Sequence, residues 1–152
     1  MTKLVADTLT VFIATRLVNP TNARPAHWSQ RSSPAKRQRE AVATTVWAEL
    51  RDPRRGVYWH ITATARSPKA ITLTAYVARK FDDDGLQAAC KSIRDGLQDC
   101  GLIQSDGPDS GHVFEYHQVI DRTRRGVAIT VRLREGCKGC GTLPHRLVDA
   151  DG

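Results

Sequence analysis

The chain has no apolar run approaching the roughly 20 residues that cross a bilayer, and its first residues, Met-Thr-Lys-Leu-Val-Ala-Asp, lack the apolar centre of a secretory leader. A cytoplasmic protein is therefore expected. No internal repeat is visible. Four cysteines could make two disulfides, but Cys90 and Cys100 fall in a helical pattern and nothing suggests secretion, so reduced thiols are expected. Cys137-Lys-Gly-Cys140 has half the spacing of a zinc knuckle and His145 adds a third donor, but no second cysteine pair follows. The segment 136–152 is read as a peripheral tail rather than a zinc site.

Acidic residues are in the minority. Against 23 Lys and Arg stand 16 Asp and Glu, a net charge of +7. The signs are segregated. From Arg16 to Arg55 nine basic residues face three acidic ones; from Asp82 to Asp109 seven aspartates face only Lys91 and Arg94. A basic footprint around a local acidic pocket is the pattern expected of a protein that handles a polyanion through a bound cation.

With 152 residues, one domain with its own core is expected, spanning 1–135. Thr8 to Leu17 is rich in β-branched and aromatic residues and predicts a strand. A polar, basic, turn-rich loop follows. Ser33-Pro34 supplies an N-cap and a first-turn proline for a helix to Leu50, with Val42, Val46 and Leu50 on one face. Val57 to Arg66 and Ala70 to Phe81 predict two strands, Asp84 to Cys100 a helix stopped by Gly101, and His112 to Ile120 and Val127 to Leu133 two more strands. The fold class is α/β (α+β): a mixed sheet of about five strands with two main helices packed on it.

The chemistry concentrates in Phe81-Asp82-Asp83-Asp84-Gly85-Leu86. If extended backbone persists beyond Phe81, side-chain alternation puts Asp82 and Asp84 on one side. Aspartates at a helix start also cap it and favour its positive end, so capping alone is one reading. Three adjacent carboxylates exceed what a cap needs and repel one another unless a cation offsets them, and such hard ligands suit Mg²⁺ or Mn²⁺. The spacing differs from a calcium loop, since position twelve from Asp82 is Ile93. Lys91, two helical turns beyond Asp84, is either a solvated charge paired with Asp95 or Gln87, or a cation for a transferring phosphoryl group.

The run from Lys80 through Asp82-Asp83-Asp84-Gly85-Leu86, Lys91 and Asp95-Gly96-Leu97 to Ile103, followed by an aspartate loop and Val113-Phe-Glu-Tyr-His-Gln118, resembles the RusA family of Holliday-junction resolvases. That family's pattern is Asp-x-Asp-Asn-Leu, a helical Lys, an Asp-Ala/Gly-Leu step ending in Gly, and one more Asp before a strand. The match covers a quarter to a third of the chain. It departs from the pattern at Gly85, where the family usually has Asn, and in a longer loop from Gln104 to His112.

The resemblance implies a small dimeric, Mg²⁺-dependent endonuclease of phage or prophage type that nicks opposing strands of a four-way DNA junction. By the same resemblance Asp82, Asp84 and Asp106 are the metal carboxylates, with Asp109 an alternative third ligand, and Lys91 is the catalytic lysine. Arg24, His27, Trp28, Arg31, Lys36, Arg37 and Arg39, in and after the first loop, are candidate DNA contacts, Trp28 by stacking on a base. Arg124 and Arg125, with Arg122, form a second basic cluster at a turn. Two alternatives stay open: a junction-binding protein impaired in catalysis, and a zinc-stabilised interaction module built on the tail.

Overall fold

In the computed structural model, residues 8–18, 28–51 and 67–134 are described, with residues 28–33 described by their backbone alone. The elements in chain order are β1 (Thr8–Ile13), α1 (Trp28–Leu50), β2 (Lys69–Val77), α2 (Asp83–Ala89), α3 (Lys91–Asp99), a 3₁₀ turn (Pro108–Ser110), β3 (Val113–Ile120) and β4 (Gly126–Leu133). The expected strand over 57–66 and the tail over 136–152 lie outside the described residues.

The strands form a mixed sheet in the order β1-β4-β2-β3. β4 runs antiparallel to both β1 and β2, opposing Val11 with Ile129 and Leu73 with Ile129. β2 and β3 are parallel, with Ala70 opposite Val113 and Val77 opposite Ile120. Parallel neighbours require a crossover, and the α2–α3 pair provides it. The result is the α+β class expected, with four strands among the described residues.

Alternation builds the core. β2 buries Ile71, Leu73, Ala75 and Val77 on one face, beside Leu9, Val11 and Ile13 of β1 and Val127, Ile129 and Val131 of β4. Val42 and Val46 of α1 and Leu86, Ala89, Ile93 and Leu97 of α2 and α3 close over that face. Lys69 is buried on the same strand, where its ammonium donates to the Ser67 carbonyl at 2.9 Å.

Several boundaries differ from the sequence reading, most of them by one residue; the larger differences are in β1, β2 and the helices. β1 ends at Ile13 rather than Leu17, and β2 at Val77 rather than Phe81. α1 begins at Trp28, so Pro34 lies inside the helix rather than at its first position. The proline forgoes the bond to the carbonyl four residues back and its ring crowds that carbonyl, a local cost offset by the packing of Val42 and Val46 farther along the helix. The expected helix from Asp84 to Cys100 starts at Asp83 and breaks at Cys90, whose φ of −86° and ψ of 0° depart from helical values. Cys90 still accepts from Arg94 N–H at 3.1 Å, so the break is a turn within one rod.

α3 stops as expected. Gly101 takes a φ of 81°, its N–H donates to Gln98 O and Leu102 N–H donates to Leu97 O, each at 3.1 Å. This is a Schellman stop, which needs the left-handed residue that glycine supplies without strain. Gly96 serves a different purpose: a Cβ there would sit 2.7 Å from both the Arg39 carbonyl oxygen and Val42 Cβ, so its absence lets α1 and α3 touch.

Candidate functional site

The three aspartates lie where β2 hands over to α2. Asp82 keeps extended backbone (φ −68°, ψ 165°) and is the N-cap of α2, its Oδ1 accepting from Gly85 N–H at 3.0 Å. Extended structure stops there: Asp83 and Asp84 occupy the first helical turn. The strand alternation expected for Asp82 and Asp84 is therefore replaced by an N-cap and a first-turn position. All three carboxylate residues are exposed, whereas Gly85 and Leu86 are buried. The capping role and the helix-end charge preference are thus both realised, at one exposed turn.

This turn is held from the side by a residue the sequence did not single out. Gln118 of β3 accepts from Phe81 N–H through Oε1 and donates to Phe81 O through Nε2, both at 2.9 Å. A primary amide bonding both polar groups of one residue copies a strand pairing, and it fixes the backbone immediately before Asp82. Nothing in a lone Gln within a strand pattern signals this.

Lys91, the first residue of α3, reaches Asp95 Oδ1 at 3.3 Å and is well exposed. The local pairing anticipated for it is the one present, and the turn at Cys90 falls between it and Asp84. Asp106 is engaged by Arg94: Arg94 Nε donates to Asp106 Oδ2 at 3.1 Å, and Arg94 Nη1 donates to the Tyr116 hydroxyl. Burial disfavours the charge on Arg94, but the Tyr116 and Asp106 oxygens outweigh it and strengthen its hold on the proton. Asp109 sits in the 3₁₀ turn and is exposed. Among the described residues no three Asp, Glu, His or Cys side chains gather closely enough to enclose a metal ion. The donors that fit a hard cation are those of the Asp82–Asp84 turn: Mg²⁺ takes one or two protein carboxylates and completes its shell with water and substrate phosphate.

The basic residues divide. Arg24 and His27 lie outside the described residues, and Trp28 and Arg31 are described by backbone only. Lys36 and Arg37 are exposed on α1, Lys36 within 3.9 Å of Glu40. Arg39 faces α3, donating to both oxygens of Asp99. That pair of hydrogen bonds, rather than a free surface charge, is its structural role. Hydrogen bonding to Arg39 in turn holds the Asp99 carboxyl below the usual range.

At the β3–β4 turn, Asp121 Oδ1 accepts from Thr123 N–H and Oγ1–H at 2.8 Å and from Arg124 N–H at 3.2 Å. The Thr123 hydroxyl leads the effects that lower the Asp121 carboxyl below its ordinary value. Arg124 lies over the rings of Phe12 and Tyr76, 4.0 and 4.5 Å from their centroids, and Arg125 donates to the Asp121 carbonyl at 2.7 Å. Both arginines are thus fixed beside the ends of β1 and β2.

No protein-family model matches the chain, and no curated protein matches it. Among the described residues no helix is long and apolar enough to cross a membrane.

Proposed function

We propose that the protein is a RusA-like, Mg²⁺-dependent endodeoxyribonuclease that resolves four-way DNA junctions by paired nicks. The observation that carries this reading is the exposed Asp82–Asp84 turn, fixed by its own cap and by Gln118, in a protein whose charge elsewhere is strongly basic. Asp82 and Asp84 would hold the ion, and Asp106 or Asp109, neither gathered with them in this structure, would have to move in with its loop to add a third oxygen. When bound, Mg²⁺ supplies Lewis-acid polarisation of the scissile phosphate and activation of the attacking water.

The chain's own contribution is charge and position. Water attacks phosphorus, the bond to the 3′ oxygen breaks, and the products carry a 5′-phosphate and a 3′-hydroxyl. Lys91, turned from Asp95 toward substrate, offsets the negative charge that builds on the departing oxygen. Arg94 holds the loop bearing Asp106 against Tyr116 and so governs how that carboxylate is presented. A symmetric homodimer would set two such turns against a junction of matching symmetry.

A second reading, junction binding without cleavage, draws support from the Arg94–Asp106 pair, which occupies one of the carboxylates the chemistry would use. Incubation of a labelled four-way junction and a linear duplex with and without Mg²⁺ separates the two. Asp82→Asn is the informative variant, because asparagine caps a helix as well as aspartate does. Loss of junction cleavage with the fold intact is expected; undiminished cleavage would move the active site elsewhere, and binding without cleavage by the wild-type protein would favour the second reading.

A further inference from the structure

Between the end of β1 and the turn into α2 lies a cleft of about 580 Å³. Leu17, Val18, Val77 and Phe81 give it an apolar lining, and Arg16, Arg79 and Arg125 are the charged residues that line it. The three arginines are exposed, and Val18 is 54 % exposed despite its apolar side chain. Tyr76 also lines the cleft, with Arg124 stacked on its ring. Phe81, the residue that Gln118 clamps, leads directly into Asp82, so one end of the cleft adjoins the carboxylate turn.

The combination is chemically selective. An apolar floor with cations and no carboxylate among its lining residues suits an aromatic base carrying phosphates on both sides. A base paired within a duplex cannot lay its face on such a floor, because both faces are stacked. We propose that this cleft holds an unpaired nucleotide of a single-stranded DNA segment, its base against Leu17, Val18, Val77 and Phe81 and its phosphates on Arg16, Arg79 and Arg125. The proposal rests on the nuclease reading for its link to cleavage: it places an unstacked nucleotide at the branch point next to Asp82. Strand capture itself is independent of any metal.

Binding is measured by fluorescence anisotropy in EDTA with a labelled 12-nucleotide oligo-dT, the corresponding duplex, an RNA oligomer of the same length, and dTMP as competitor. The expected result is preference for the DNA single strand. Arg16→Ala/Arg79→Ala lowers its affinity about tenfold at 50 mM salt and reduces the slope of log affinity against log salt by about 1.4, since each phosphate contact to a single strand contributes about 0.7. Arg132→Ala/Arg134→Ala, which removes the same charge at the end of β4 far from the cleft, changes affinity less than about twofold. Val18→Asp, at an exposed position that can accept a charge without unfolding, weakens binding as well. Equal losses in the two double variants, preference for duplex or RNA, or saturable dTMP binding with no gain for the 12-mer would each overturn the proposal. A junction-cleavage assay in Mg²⁺ run beside it separates the two claims: cleft-dependent single-strand binding without any cleavage removes the nuclease reading alone, and cleavage that is indifferent to the cleft variants removes this one alone.

Discussion

Arg94 Nε lies 3.1 Å from Asp106 Oδ2, tying the middle of α3 to the loop that follows it. Both side chains are largely shielded from solvent, 17 % and 30 % exposed, so the pair is screened less than a surface ion pair. Arg94→Ala is expected to cost about 2 kcal/mol, the range of hydrogen bonds to charged groups, because Asp106 and Tyr116 both lose their partner. Urea unfolding of Arg94→Ala, Asp106→Asn and the double variant measures it. A coupling energy near zero in that cycle would remove the pair as a stabilising unit.

The two candidates for a third carboxylate lie in different settings, Asp106 paired with Arg94 and Asp109 in the 3₁₀ turn. Asp106→Asn is expected to abolish Mg²⁺-dependent junction cleavage, whereas Asp109→Asn, altered in an exposed 3₁₀ turn, retains it. The reverse result would transfer the role to Asp109.

Gly96 marks the closest approach of α1 and α3. Gly96→Ala would drive a methyl group into the Arg39 carbonyl and Val42. Overpacking of this kind costs about 1–3 kcal/mol, more than the gain in helix propensity returns. The expected sign is a lower urea midpoint with an unchanged m-value.

Cys90 is fully buried, and that burial pushes its thiol up to about 11, with Arg94 opposing the shift. Relative to an ordinary thiol at 9.0, roughly a hundredfold less thiolate is present at neutral pH. Iodoacetamide at pH 7.5, followed by peptide mass mapping, is expected to leave Cys90 unmodified in native protein and to label it in urea. Rapid native labelling would contradict the burial.

The Arg39–Asp99 bridge makes an acid-side prediction. Because the folded carboxyl of Asp99 is depressed, its stabilising contribution is present above the unfolded value of about 4 and is lost as pH falls through the folded one. Asp99→Asn should therefore narrow the difference in stability between pH 6 and pH 2.5, as read by thermal unfolding at each pH. Added salt should shrink the effect, since both partners are partly exposed.

The strands and the apolar faces of the helices were legible because period-2 and period-3.6 burial are written directly in residues such as Ile71, Leu73 and Ala75, or Val42 and Val46. Gly101 was legible for the same local reason, since a helix stop is a property of a few consecutive residues. The start of α1 was misplaced because Ser33-Pro34 is a strong local signal that the preceding turns override. At the acidic turn, sequence placed the carboxylates together but not their geometry, which changes from strand to helix within one residue at Asp82. Gln118, Arg94 and the Arg16–Arg79–Arg125 cleft could not be read at all. Each depends on pairings between segments far apart in the chain, and a single Gln or Arg carries no sign of which distant backbone it will meet.

β4, the last described strand, lies between β1 and β2 and pairs with both. Among the described strands, β1 therefore has no pairing partner until the chain has been made as far as residue 133, and the described sheet is completed late. Nascent chains halted ahead of β4 would be substrates for chaperones or proteases, and this protein should become protease-resistant abruptly, rather than gradually, as its length passes that strand.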